Sequence, residues 1–192
     1  MLVSGPSGSG KTTLCRRLAN EQEAVYSTSC TTRPAREGER NGHDYHFLTR
    51  ESFQEKVDAG DFLEHAEVHG NFYGTLKSEV LDQISSGIDV VMDIDVQGAD
   101  QVRDCTDAAI QSALVDLFVM PPTEKELRNR LTGRGTDTED VIALRMKNAL
   151  GEIEYWPKYN YRLLSGTHEQ DYYQFKSLLV AERLKVSRLI AP

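Results

Sequence analysis

The chain has 192 residues, a length that suits one domain with a substantial hydrophobic core. Its 30 acidic side chains against 22 lysines and arginines give a net charge of −8, which argues against a nucleic acid polymer as a partner. There is no apolar run of transmembrane length, no signal peptide and no metal-ligand spacing among the three cysteines. We therefore expect a cytoplasmic protein with reduced thiols and no membrane partner.

Apolar stretches that predict strands alternate with stretches that predict helices, which favours a parallel sheet covered on both faces. The predicted strands are 1–4, 25–29, 89–94 and 113–120, with a short one at 44–48 and a weaker one at 161–164. The predicted helices are 11–21, 50–58, 76–86, 96–103, 123–131, 139–155 and 169–189. Thr123 with Glu126, and Thr136 with Glu139, form capping boxes that start two of these helices. The fold class is therefore predicted to be α/β.

The segment from Gly5 to Thr12 fits the pattern G-x-x-x-x-G-K-[ST] and lies between a predicted strand and a predicted helix. Its glycines let backbone N–H groups surround an anion, and the helix N-terminus adds the positive end of its dipole. Lys11 is expected at the β- and γ-phosphates and the Thr12 hydroxyl at Mg²⁺. The predicted triphosphate-binding residues are Gly5, Pro6, Ser7, Gly8, Ser9, Gly10, Lys11, Thr12 and Thr13.

Two segments interrupt the regular alternation. Residues 30–75 carry a polar, glycine-bearing loop and a short strand, an insertion that is more often functional than idle. Residues 128–138 are rich in arginine, and Gly133 and Gly135 bracket Arg134, which suits a lid that moves.

The motifs along the chain resemble one known family. The loop GPSGSGKT is followed in order by STSCTTRPAREGERNGHDYHF, FLEHAEVHGNFYGT, VVMDIDVQGA and RLTGRGTDTEDVIALRM. Through these motifs, which together span essentially the whole chain, the sequence closely resembles the guanylate kinase family, and its C-terminal segment resembles the bacterial branch. The resemblance implies transfer of the γ-phosphoryl group of ATP to GMP, and to dGMP, with Mg²⁺ as the cofactor.

The resemblance also implies an architecture and a set of acceptor-binding residues. The architecture is a single domain over 1–192 with a P-loop NTPase-type sheet core, a GMP-binding subdomain at about 33–82 and a lid at about 124–148. The implied GMP-phosphate ligands are Arg33, Arg36, Tyr45 and Tyr73, since arginine forks and tyrosine hydroxyls suit phosphate oxygens. The implied guanine-binding residues are Ser29, Glu64, Thr75, and Asp93 or Asp95.

Without the resemblance, the residues alone predict that Glu64 is an exposed strand residue and that Arg33 and Arg36 are solvated loop charges.

For the catalytic groups, the resemblance implies that four cationic residues surround the phosphates, where they stabilise an anionic transition state. They are Lys11, Arg130, Arg134 and Arg145.

Asp93 ends a hydrophobic strand and is a candidate Mg²⁺ ligand with Thr12, but whether Asp93 or Asp95 serves the metal stays open. Ser165 lies near a position where relatives commonly carry an asparagine, which leaves the selectivity for the adenine base open.

Two other functions compete with this interpretation. A catalytically silent guanylate-kinase-like binding module would typically have a degraded phosphate loop or lid, whereas Lys11, Thr12, Arg130, Arg134 and Arg145 are all present. A related kinase acting on a sugar phosphate would not need Glu64, Tyr73 and Thr75. Assembly into a homo-oligomer is left open by the sequence.

Overall fold

A computed structural model describes residues 1–68, 70–132 and 139–188. Within these ranges the strands are β1 Leu2–Ser4, β2 Val25–Tyr26, β3 Cys30–Thr31, β4 His46–Phe47, β5 Phe62–Val68, β6 Asn71–Leu76, β7 Val90–Asp93, β8 Asp116–Met120 and β9 Tyr161–Leu164. The α-helices are α1 Lys11–Asn20, α2 Arg50–Asp58, α3 Lys77–Ser85, α4 Val96–Asp104, α5 Ala108–Ala113, α6 Glu124–Thr132, α7 Glu139–Ile153 and α8 His168–Arg183. No helix in the described ranges is long and apolar enough to cross a membrane.

The core is a parallel sheet with the strand order β2-β7-β1-β8-β9. Alternate side chains of its strands face opposite sides. Val3 and Val91 pack on one side against α1 and α8, through residues such as Leu18 and Phe175. The residues of the other side are Leu2, Val90 and Met92 from the sheet with Val80, Ala99, Val102 and Ile110 from α3, α4 and α5. Burial on both faces explains why these strands are continuous apolar runs in the sequence.

A second, mixed sheet has the order β4-β3-β6-β5 and carries its own small apolar cluster. Phe53 of α2 stacks between Phe62 and Phe72, with ring centroids 4.5 and 5.5 Å away. The β5–β6 hairpin has a bulge-like register shift between Phe62 and Glu64. The shift sends Phe62 into the small cluster and Leu63 into the core cluster, so β5 joins the two sheets.

The sequence-based elements are confirmed where hydrophobic periodicity is strong, as at β1, α1, α2, β7 and α4, and the weaker strand predicted at 161–164 is confirmed as β9. The start of the strand predicted at 113–120 is wrong, because Asp107 caps α5 and Ala113 ends that helix. The strand predicted at 25–29 is confined to Val25–Tyr26, since the chain then leaves the core for the second sheet.

The remaining differences lie at the helix ends and in the insertion. The helix predicted at 169–189 ends at Arg183, and the one at 139–155 ends at Ile153. β3 and β6 were not among the predicted strands, because their pairing is decided by partners distant in the sequence, whereas the strand expected at Glu64 is confirmed as β5. Thr123 caps α6 as predicted, accepting the Glu126 N–H at 3.1 Å. The capping box predicted at Thr136 lies outside the described residues.

Candidate active site

A cavity of about 980 Å³ opens at the carboxyl ends of β1 and β7, between the core and the second sheet. The pairing of Val3 with Asp93 places the loop after β1 beside the end of β7. In open α/β sheets, ligands bind outside the carboxyl ends of the strands. The predicted site residues that line this cavity are Gly5, Ser7, Lys11, Ser29, Arg36, Tyr45, Glu64, Tyr73, Asp93, Asp95 and Arg145.

The loop between β1 and α1 is shaped by its backbone. Gly5, Gly8 and Gly10 have φ values of 141°, 86° and 100°, which residues other than glycine rarely adopt. A Cβ on Gly5 would lie only 2.3 Å from the Val119 carbonyl oxygen. The Lys11 ammonium turns back onto the loop and donates to the carbonyl oxygens of Gly5 and Pro6. The loop therefore forms a compact turn with a cation at its centre.

The other predicted loop residues lie around this turn. Pro6 accepts the Ser9 N–H at 3.1 Å, and Ser9 itself is buried with no described partner for its hydroxyl. Thr12 and Thr13 occupy the first turn of α1 and are exposed.

Asp93 and Asp95 differ in their surroundings. The Thr12 hydroxyl donates to the Asp93 carboxylate, which brings two oxygen ligands together beside the phosphate loop. Asp95 instead caps α4 and accepts the Gly98 N–H at 2.8 Å. Hydroxyl and carboxylate oxygens are the ligands that Mg²⁺ prefers, so the pair of Thr12 and Asp93 fits this ion better than Asp95 does.

Glu64 is buried, with 5% of its surface exposed, so its interpretation as an exposed strand residue is wrong. The Thr75 hydroxyl, directly opposite on β6, donates to its carboxylate at 2.6 Å. Burial, with Asp95 as a smaller contributor, raises the pKa of Glu64 to about 7, although the Thr75 hydroxyl opposes the shift. A Cβ on Gly98 would lie 2.5 Å from a Glu64 oxygen, so α4 closes over this carboxylate. Among the described residues, Thr75 is the one hydrogen-bond donor to this buried acceptor group at the cavity wall.

The two loop arginines share one carboxylate. Arg33 donates to both oxygens of Glu39 at 2.9 and 3.0 Å, and the backbone N–H of Arg36 donates to Glu39 at 2.7 Å. These contacts hold the pKa of Glu39 below its usual value, with the Arg33 side chain as the main cause. The Arg33 guanidinium also lies over the Tyr45 ring, 5.4 Å from its centroid. Arg33 and Arg36 are therefore ordered by Glu39, and reading them as merely solvated charges is wrong for Arg33.

Tyr45 and Tyr73 lie edge to face with centroids 6.0 Å apart, on the wall beside these arginines. Asp44, which the sequence reasoning did not single out, also lines the cavity and pairs with Arg16 of α1 at 3.1 Å. The Arg40 N–H, and then the Arg16 side chain, lower the pKa of Asp44 to about 2. The helix that carries Lys11 is thereby tied to the loop that carries Tyr45.

The predicted lid arginines have different environments. Arg145 of α7 donates to the Ser7 hydroxyl at 2.9 Å and lines the cavity. Arg130 of α6 does not line it, because its guanidinium is held by Glu126 and Ser165, both at 3.0 Å. Arg134 lies outside the described residues.

Glu152 of α7 lines the same cavity and was missed by sequence reasoning, since its position on an ordinary amphipathic helix gives no local signal. Burial raises its pKa above the usual value of an exposed glutamate.

Comparison with known proteins agrees with this geometry. A family model described as guanylate kinase matches residues 1–182. The curated guanylate kinase of Clostridium tetani is 41% identical over 189 residues, which cover 98% of this chain and 88% of the relative. The solved structure of guanylate kinase from Anaplasma phagocytophilum matches with a TM-score of 0.79 at 32% identity, covering 99% of this chain and 88% of that one. A shikimate kinase from Bacteroides thetaiotaomicron shares the fold alone, with a TM-score of 0.51 at 15% identity over 93% of this chain and 96% of that one. The chain belongs to the guanylate kinase family.

Proposed function

We propose that the chain transfers the γ-phosphoryl group of ATP to GMP, giving ADP and GDP, within the cavity between its two sheets. The observation that carries this proposal is that a glycine-shaped phosphate loop and a buried carboxylate, Glu64, open onto the same cavity. The loop can bind a triphosphate, and the carboxylate can accept hydrogen bonds from a base that carries N–H donors. The distance between the two ends is spanned by cationic and tyrosine side chains that suit phosphate oxygens.

The guanine base is recognised by Glu64. Guanine offers an N1–H and a 2-amino group on one edge, and a carboxylate can accept from both. Thr75 holds one Glu64 oxygen, and Asp95 and Ser29 line the same end of the cavity. Binding of such donors replaces the solvation that burial removes from the carboxylate.

The GMP phosphate is bound by Arg33, Arg36, Tyr45 and Tyr73 on the second sheet and its loop. Glu39 fixes the direction of the Arg33 fork, so the arginine loses less side-chain freedom when phosphate binds. We propose that the second sheet with its helices forms the GMP-binding subdomain, about 33–82. The α6–α7 segment, about 124–148, forms the lid.

Mg²⁺ would be held by Thr12 and Asp93, whose oxygen ligands lie together at the end of β7. When bound, the ion neutralises negative charge on the phosphates of ATP. Lys11 holds the β- and γ-phosphates, and Arg145, which reaches the phosphate loop at Ser7, adds a second cation.

A GMP phosphate oxygen attacks the γ-phosphorus in line, and the bond to the ADP oxygen breaks. No covalent enzyme intermediate is needed, so catalysis comes from positioning and charge stabilisation. Arg130 would have to leave Glu126 and Ser165 to reach the phosphates, and Arg134 is proposed as the remaining lid cation. Closure of the lid would also exclude water, which would otherwise accept the phosphoryl group.

The experiment that tests this proposal is a coupled assay of ADP release with ATP and a panel of monophosphates. We expect kcat/KM to follow the order GMP, IMP, AMP, with dGMP accepted as well. Binding of GMP without turnover would favour the silent binding module, and a preference for a sugar phosphate would overturn the assignment.

A further inference from the structure

The α7 helix presents both a cation and a carboxylate to the cavity. Its cavity-lining residues are Val141, Leu144, Arg145 and Glu152, which share one face because they lie at helical spacings. Arg145 contacts the phosphate loop at Ser7, and Glu152 lies two turns further along, about 10 Å by the helical rise. The mechanism above uses Arg145 and leaves Glu152 without a role.

Glu152 differs from the other carboxylates of the cavity, each of which has a hydrogen-bond donor from the protein. These pairs are Asp44 with the Arg40 N–H, Glu64 with Thr75, Asp93 with Thr12, and Asp95 with the Gly98 N–H. In the described part of the chain, no group hydrogen-bonds or ion-pairs with the Glu152 carboxylate. A partly desolvated carboxylate that lacks a protein donor is costly, unless a ligand supplies the donor.

The charges around Glu152 indicate which part of the ligand it faces. Glu152 lines the same cavity as Lys11 and Asp95. Burial is the main cause that raises its pKa, while Lys11 lowers it and Asp95 raises it. Lys11 belongs to the phosphate loop, which is the proposed donor end, and Asp95 acts on the charge of Glu64, the proposed base-binding residue. In a mononucleotide the ribose lies between the phosphate and the base. Phosphate groups are excluded as partners, because a carboxylate would repel them.

GMP has few hydrogen-bond donors to offer. They are the N1–H and 2-amino group of guanine and the 2′- and 3′-hydroxyls of the ribose. In the proposed mode of binding, Glu64 takes the two guanine donors, which leaves the hydroxyls. We propose that Glu152 accepts a hydrogen bond from a ribose hydroxyl of the acceptor nucleotide and so fixes the sugar between the base and the phosphate. This inference rests on the proposed function.

The test combines substitutions at Glu152 with deletion of the hydroxyls from the ligand. Wild type, Glu152→Gln and Glu152→Ala would be assayed with GMP and with its 2′-deoxy, 3′-deoxy and 2′,3′-dideoxy analogues. Glu154→Gln is the matched control, because the substitution removes the same charge from an exposed residue of the same segment that does not line the cavity. Calorimetric binding of GMP and the dideoxy analogue without ATP gives a readout that does not depend on turnover.

We expect Glu152→Ala to lower kcat/KM and affinity for GMP by roughly tenfold or more, as for a lost hydrogen bond to a charged group. The same variant should leave the dideoxy analogue within about twofold of wild type, since that ligand has no hydroxyl to lose. Glu152→Gln, whose amide oxygen still accepts, should lie between, and Glu154→Gln should match wild type. If Glu152→Ala leaves one of the two single-deoxy analogues as unaffected as the dideoxy analogue, the hydroxyl missing from that analogue is the one that Glu152 contacts.

Three results would overturn the proposal. Wild type could bind GMP and the dideoxy analogue equally well. Glu152→Ala could weaken both ligands equally, as expected if Glu152 positions Lys11 or merely supports the fold. The loss of affinity caused by Glu152→Ala could instead disappear when IMP, which lacks the 2-amino group, replaces GMP. That result would assign Glu152 to the guanine amino group. A wild-type enzyme that does not use GMP at all would reject the proposed function. Normal GMP turnover, with an effect of Glu152→Ala that does not depend on the ribose hydroxyls, would reject the ribose contact alone.

Discussion

The two ends of the cavity are built in different ways. The donor-phosphate end is made of backbone, where three glycines with positive φ form a turn and the Lys11 ammonium lies at its centre. The acceptor end is made of side chains that come from β5, β6, the residues just before α4 and the loop before β4. A backbone site tolerates little change in conformation but needs few particular side chains. A side-chain site depends on each residue separately, and it is the part that determines which substrate is used.

The largest expected effect on kcat is that of Lys11→Met. We expect kcat to fall by roughly 10²–10³-fold or more, because the charge at the β- and γ-phosphates is lost while the loop backbone is kept. Steady-state kinetics with ATP and GMP would measure it.

Lys125→Met, which removes an exposed lysine of α6, is the control and should keep near-normal kcat. A folded Lys11→Met protein with near wild-type kcat would contradict the assigned role.

At the acceptor end, Glu64→Ala should remove most of the preference for GMP over AMP. Each hydrogen bond to a charged group contributes about 1.5–3 kcal/mol, so two bonds separate guanine from adenine by on the order of 10²–10⁴ in kcat/KM. The assay would compare GMP, IMP and AMP for wild type and variant.

The KM for ATP should change little, since the phosphate loop, and not Glu64, is proposed to bind ATP. If the variant keeps kcat/KM for GMP within about threefold of wild type, Glu64 does not recognise the base.

Gly5→Ala tests the backbone end through stability. The new Cβ would lie 2.3 Å from the Val119 carbonyl oxygen, at a φ of 141°. We expect a loss of unfolding free energy of about 3 kcal/mol or more, from backbone strain together with overpacking. Denaturant unfolding would measure this loss.

Gly60→Ala is the matched control, since Gly60 also has a positive φ, 70°, but has open space around it. It should cost only about 1 kcal/mol for the left-handed backbone. Equal losses at both positions would show that the contact with β8 does not constrain the loop.

The smallest expected effect is a pH dependence from Glu64. Its pKa of about 7 in the free protein means that lowering the pH from 8 to 6 leaves roughly a tenth of the ionised carboxylate. Because the ionised form accepts both guanine donors, GMP affinity should fall by up to about tenfold over this range, and binding near pH 7 should release a proton. Calorimetry in buffers of different ionisation enthalpy would measure the proton.

The same shift has a consequence for stability. The folded-state pKa lies above the value of 4.5 for an exposed glutamate, so the protonated form stabilises the fold at low pH. This contribution is lost as the pH rises towards and through about 7. Glu64→Gln should remove both the proton release at this site and this part of the stability profile. Unchanged profiles in the variant would mean that another group titrates.

The phosphate loop was determined by the sequence alone, because its residues are contiguous and its function depends on local backbone conformation. The strong core strands and helices could be predicted for a similar reason, since hydrophobic periodicity is a property of short segments. The family resemblance adds the expected reaction, because several motifs occur in a fixed order along the whole chain.

Only the tertiary structure decided which side chains share the acceptor end. Burial of Glu64 requires the register shift in β5, the Thr75 partner on β6 and the close approach of Gly98 on α4. The separation of Asp93, beside Thr12, from Asp95, which caps α4, depends on packing between β7 and the phosphate loop. Glu152 could not be identified from the sequence either. The cavity that it lines is formed with residues more than 50 positions away, such as Asp95, and no local pattern records such a distance.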